Sequence, residues 1–129
     1  GRRESYHNKP QPRMTNTYIE KGELEPSEVV ESINSGLLIK KLGGGQVNVS
    51  NGDFVFDVQE AYIIKNGKVK EPVRGAMLIG NGPKILNEID MVANDLNFII
   101  GTCGKGDLAP VTDAMPTIRI PEIVVGGRE

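Results

Sequence analysis

Asp53-Phe54-Val55-Phe56-Asp57-Val58-Gln59-Glu60-Ala61-Tyr62-Ile63-Ile64-Lys65-Asn66-Gly67-Lys68-Val69 is the stretch that decides the fold. Phe54, Phe56, Val58, Tyr62 and Ile64 alternate with Asp57, Gln59 and Lys65 at period two, the pattern of a half-buried antiparallel strand. Asn66-Gly67 then supplies the two positive-φ positions of a type I′ hairpin turn. The return strand is expected over Lys68 to Val73, continuing to Leu78. Pro72 inside it implies a sheet edge or a break, because proline cannot donate to a ladder.

Working outward, the pattern stays β-rich. Residues 1 to 16 are polar and carry Pro10 and Pro12, so they should run extended or as loop, with a first strand over Met14 to Glu20. Glu25 to Gly36 reads as a short helix: Pro26 suits its first position, Glu28 its positive end and Gly36 its C′ position. Val29, Val30 and Ile33 would face the sheet. Leu37 to Lys41 has strand character, and Gly43-Gly44-Gly45 marks a bend or a close neighbour rather than a phosphate loop, since the required spacing is missing. Gly82-Pro83 opens a second helix with Ile85, Leu86 and Ile89 inward. Leu96 to Ile100 is a strand that delivers the chain into Gly101-Thr102-Cys103-Gly104-Lys105, read as a loop. Thr117 to Ile120 and Glu122 to Val125 are two further short β pieces. The expected class is mainly β (α+β): an antiparallel sheet or barrel-like β domain with two short peripheral helices, near residues 26 to 35 and 83 to 90, in one domain spanning 1 to 129.

Composition narrows the function classes. The 129 residues hold 15 basic and 17 acidic side chains, a net charge of -2 that gives no pull toward phosphate backbones, so direct nucleic-acid binding is not expected. The cluster Arg2-Arg3, His7, Lys9 and Arg13 is interrupted by Glu4 and prolines and reads as a solvated segment. With no tryptophan and few aromatics, the core should rest on Ile, Val and Leu. One cysteine excludes an internal disulfide framework and fits a reducing cytoplasm; no 18-residue apolar run or signal peptide is present, so no membrane partner is expected.

Chemistry concentrates at Cys103. Glycines on either side of a thiol let a ligand approach, and a nearby ammonium favours thiolate, the form that attacks electrophiles or binds metals. A buried cysteine also serves as a small hydrophobe, so both readings stand on these residues alone. Lys105 is either support for a thiolate or an exposed loop lysine. His7 is the one histidine, and a Cys103–His7 dyad is the weaker option. Asp90, Asp95, Asp107 and Asp113 fit turn and cap roles. No HExxH-like pair or CxxC occurs, so the chain by itself cannot assemble a three-ligand zinc site.

A family resemblance covers nearly the whole chain. Gly1-Arg2-Arg3-Glu4-Ser5-Tyr6, Pro12-Arg13-Met14-Thr15-Asn16-Thr17-Tyr18, Gly43-Gly44-Gly45-Gln46-Val47, Gly52-Asp53-Phe54-Val55-Phe56, Gly75-Ala76-Met77-Leu78-Ile79-Gly80, Asn94-Asp95-Leu96, Gly101-Thr102-Cys103-Gly104-Lys105 and Val124-Val125-Gly126-Gly127 resemble, in order, the C-terminal region of TldD-type subunits of the TldD/PmbA family. The resemblance implies a zinc metallopeptidase that cleaves peptides; older descriptions call the group modulators of DNA gyrase. It implies Cys103 as one metal ligand, the others being two histidines of an HExxxH motif, with its glutamate as base, which this sequence does not contain. It also implies a PmbA (TldE) type partner subunit, in a heterodimer that encloses an extended peptide substrate. Zinc is expected in the full-length protein and not in this chain alone, which should be inactive and prone to self-association through uncovered apolar surface and open sheet edges. The alternative function is a non-catalytic, β-rich protein-interaction module.

Overall fold

The computed structural model describes residues 1–127. In chain order the elements are β1 (Asn16–Tyr18), α1 (Pro26–Glu31), β2 (Ser35–Val47), β3 (Asp53–Lys65), β4 (Lys68–Val73), β5 (Ala76–Asn81), α2 (Gly82–Glu88), β6 (Met91–Val92), β7 (Asn97–Gly104), β8 (Leu108–Met115), β9 (Ile118–Arg119) and β10 (Val124–Gly127). Strands dominate, as the turn-rich composition implied.

β3 is the spine of the larger sheet. Along one edge it pairs antiparallel with β2, from Phe54↔Val47 to Lys65↔Ser35. Its other edge is shared: β5 takes Asp53 to Asp57, and β4 takes Ala61 to Lys65. β10 adds antiparallel to the far side of β5. The hairpin turn is as expected, with φ of 50° at Asn66 and 71° at Gly67. A side chain at Gly67 would also sit 2.6 Å from the Glu31 carbonyl oxygen, so this turn packs directly on the end of α1. The expected continuous return strand is two strands, because Gly75 at φ 72° turns the chain between β4 and β5. Pro72 accordingly lies on β4, which has no partner on its outer side among the described strands.

The glycine triplet lies inside β2, where the register with β3 shifts between Leu42 and Gly45. A Cβ on Gly45 would be 2.2 Å from the Phe56 ring and 2.4 Å from the Val55 carbonyl oxygen, so the close neighbour inferred from sequence is β3 itself. Burial follows the spine: Ala61 and Ile64 are 1% and 0% exposed, and being three residues apart they bury opposite faces of β3. Ala76, Ala93, Ala109 and Ala114 are buried too, so the core draws on alanine as well as on Val29, Ile64, Leu78 and Val111.

A second sheet of three strands carries the chemistry. β7 and β8 form an antiparallel hairpin from Asn97↔Met115 to Gly104↔Leu108, and β1 pairs parallel with β8 at Thr112 to Ala114. β6 and β9 form a short antiparallel pair. Among the described residues no sheet order closes on itself, so the antiparallel-sheet alternative holds and the barrel-like one does not.

Four local expectations need correction. α1 ends at Glu31 with Ser32 as its cap, and Gly36 belongs to β2 instead of closing the helix. Leu86 on α2 is 61% exposed, whereas Ile85 reaches β5 at Gly80. β8 had no counterpart in the sequence reading. The residues Gly126 and Gly127, placed after the last strand, lie within β10.

Candidate functional site

Cys103 does not sit in a loop. β7 runs through Gly101-Thr102-Cys103-Gly104, and Cys103 is paired with Ala109 of β8 one step from the hairpin tip. Opposed residues of an antiparallel pair share a face, so Cys103, Ala109, Gly101 and Val111 lie together on one side of the hairpin. There the thiol is half-buried beside the buried Ala109 and Val111. The loop is only Lys105-Gly106-Asp107, closed by the Lys105 amide donating to the Asp107 carbonyl at 3.0 Å, with Gly106 at φ 79°.

The residues that hold this tip come from the far end of the chain. Arg13, read from sequence as part of a solvated basic segment, has a fully buried side chain. Its Nη2 donates to the Cys103 carbonyl at 2.5 Å and to the Asp107 carbonyl at 3.0 Å, and its Nη1 pairs with Asp107 Oδ1. Asp107, expected as a turn residue, is therefore half of a buried ion pair. Its other oxygen accepts from the Glu4 amide at 3.0 Å, while the Glu4 carboxylate accepts from the Leu108 amide at 2.8 Å. Gln11 donates to the Lys105 carbonyl, and Lys105 Nζ to the Pro12 carbonyl at 3.2 Å. The Lys105 ammonium is thus engaged with the N-terminal segment.

Electrostatics reinforce the clamp. The Cys103 side chain, and after it Asp107, push the Arg13 guanidinium above its ordinary range against the opposing pull of burial. The Glu4 amide, with Arg13 behind it, holds the Asp107 carboxyl below the usual carboxylate range although burial acts the other way. A carboxyl depressed in the folded state contributes stability above its unfolded pKa and loses it as pH falls through the folded value. The Asp107 carboxyl-carbon resonance should therefore hold its position while exposed carboxylates titrate, near pH 4, and move only below that range in an NMR titration. Movement between pH 6 and 4 would contradict the pairing.

The other sequence candidates disperse. His7 stacks on Tyr6 with ring centroids 3.7 Å apart, and no hydrogen bond among the described residues joins it to Cys103. Asp90 forms a two-pronged pair with Arg119, at 2.8 and 2.7 Å. Asp95 caps Thr117 through its amide and hydroxyl. Asp113 is exposed, opposite Ile99. Among the described residues no three His, Cys, Asp or Glu side chains gather as a metal site. The donor set is one thiol, which fits a single soft ligand position and no more. Beside it, on the opposite face of the hairpin, Tyr18, Phe98, Ile100 and Leu108 form an apolar strip 48 to 86% exposed, with Tyr18 edge-on to Phe98.

Residues 1–127 match the family model of the PmbA/TldA metallopeptidase C-terminal domain. This chain belongs to that family. It is 46% identical over 130 residues to a metalloprotease TldD homologue of Haemophilus influenzae, covering 98% of this chain and 27% of that protein. It is 36% identical over 127 residues to a zinc metalloprotease TldD homologue of Saccharolobus solfataricus, covering 98% and 28%. The chain thus spans little more than a quarter of these relatives' length. Solved structures with the same fold include TldE from Thermococcus kodakarensis, at 22% identity and a TM-score of 0.66, covering 85% of this chain and 23% of that one. Another, a Thermotoga maritima protein described as a modulator of a DNA gyrase, has 20% identity and a TM-score of 0.70, covering 86% and 24%. The hairpin tip with Cys103 and the N-terminal segment that clamps it both fall within the residues matched by the PmbA/TldA family model. No helix among the described residues is long and apolar enough to cross a membrane.

Proposed function

We propose that this chain is the C-terminal domain of a TldD-type zinc metallopeptidase subunit and that it contributes Cys103 as one thiolate ligand of the zinc. The observation that carries this reading is the placement of Cys103: half-buried, one residue pair from a hairpin tip, with its backbone gripped by a buried guanidinium. Such a thiol is held in place and still reachable from one side. The remaining ligands, two histidines of an HExxxH motif, belong to the rest of the subunit. Zinc bound there supplies a Lewis acid for the scissile carbonyl and an activated water. This domain's own part is to fix the thiolate and to present β7, whose outer edge has no strand partner among the described residues, toward an extended peptide or a strand from elsewhere in the assembly. A TldE-type subunit is the partner, and a reducing cytoplasm suits the lone thiol.

The chain purified alone is expected to hold no stoichiometric zinc, to cleave no peptide and to self-associate through its apolar strip. Metal analysis, a peptide-cleavage assay and light scattering read the three. Stoichiometric zinc or peptide cleavage in this chain alone would overturn the shared-site reading. A non-catalytic interaction module is the second reading, favoured by the same strip, and a full-length sequence without HExxxH would decide for it.

A further inference from the structure

The hairpin tip has little of its own to keep it in one shape. Gly104 and Gly106 flank Lys105, and a Cβ added at either glycine would meet nothing within 4 Å, so no packing confines the turn at those two positions. Glycines at both positions widen the backbone's choices further. A cysteine one step from such a tip would sample many orientations, and a zinc ligand must be held in one. Glu4 and Gln11 bond the tip from outside, and Arg13 is the side chain that ties the strand before the turn to the residue after it. Its guanidinium bonds the carbonyl before the turn, at Cys103, and both the carbonyl and the carboxylate after it, at Asp107. The planar fork of arginine spans these acceptors at once, which the point charge of lysine cannot do. Its side chain is wholly buried, and the Nε–H has no partner among the described residues, so one donor of the fork is left unspent beside the Cys103 backbone.

We propose that Arg13 is a positioning residue for Cys103: it locks both ends of the glycine-flanked turn so that the thiolate meets the metal in a single geometry. This rests on Cys103 being a zinc ligand. Outer groups that orient a metal ligand typically account for about 10- to 100-fold in metal affinity.

The test uses the full-length subunit with its partner. Arg13→Met should weaken zinc binding about 10- to 100-fold in chelator competition, and should speed hydrogen exchange of the Lys105 amide, which closes the turn, in the chelator-stripped protein. Arg13→Lys should fail to restore either. Arg119→Met removes a guanidinium that also pairs with an aspartate, away from the hairpin, and should leave both readouts at the parent value. If Arg13→Met strands Asp107 and does not fold, the pair Arg13→Met/Asp107→Leu removes both charges together, which proteins tolerate better than losing one partner. Parent-like zinc affinity and Lys105 amide exchange in a folded Arg13 variant would overturn the proposal, as would failure of every Arg13 variant to fold, which would assign the residue to the fold alone. Cys103→Ser separates the two levels. Zinc lost there but kept in Arg13→Met defeats only the positioning role, whereas zinc kept in Cys103→Ser defeats the ligand reading beneath it.

Discussion

Cys103→Ser in the full-length subunit is expected to lower zinc occupancy and peptide cleavage while leaving the fold intact. The argument is one of size against softness. Serine nearly matches cysteine in volume, and Cys103 is half-buried opposite a small residue, Ala109, so little packing is lost. A hydroxyl is a far poorer zinc ligand than a thiolate. Losing a direct ligand should cost more than the about 10- to 100-fold typical of outer groups. Metal analysis and the cleavage assay on the same preparation check this. Full zinc and full activity in the variant would make Cys103 an ordinary packed cysteine.

The largest stability effect is expected at Ile64. It is completely buried on the spine strand, and it pairs with Gly36 of β2 on one side and Val69 of β4 on the other. Ile64→Ala removes that filling from a site fixed by two ladders, where collapse around the cavity is restricted, so a loss of about 2–5 kcal/mol is expected. Denaturant unfolding should show a lower midpoint with an unchanged m-value. Val69→Ala, at a side chain 45% exposed in the same hairpin, should fall well below that range. Equal effects from the two would place the core elsewhere.

What the sequence made legible was local. The period-two run of β3, the Asn66-Gly67 turn, Pro26 at the start of α1 and Pro83 near the start of α2 each act within a few residues, and each appears where the pattern put it. β8 escaped because Pro110 reads as a breaker. In the sheet, Pro110 opposes Thr102 and lies ahead of the β1 pairing, which begins at Thr112, so its lack of an N–H leaves no gap in that ladder. The glycines of the Cys103 motif pointed to a loop for a similar reason, although Gly101 and Gly104 are ordinary ladder positions. Arg13 and Asp107 were misjudged most. They lie 94 residues apart, and no window of sequence contains both members of the pair. Cys103 itself was legible as chemistry from its neighbours, whereas the group that grips it was not.

That 94-residue separation also sets an order of events. Loop-closure entropy grows with the logarithm of length, so bringing Arg13 to Asp107 through an otherwise open chain costs about 3 kcal/mol more than closing the three-residue turn between β7 and β8. Hairpins are then early products of folding, and the clamp between Arg13 and Asp107 is a late one. The thiol is strung on its strand before it is fixed in direction. Because Arg13 is synthesised long before Cys103, the N-terminal segment must wait, undocked, until the hairpin has emerged to receive it. Maturation of the site is thereby tied to emergence of the β7–β8 hairpin.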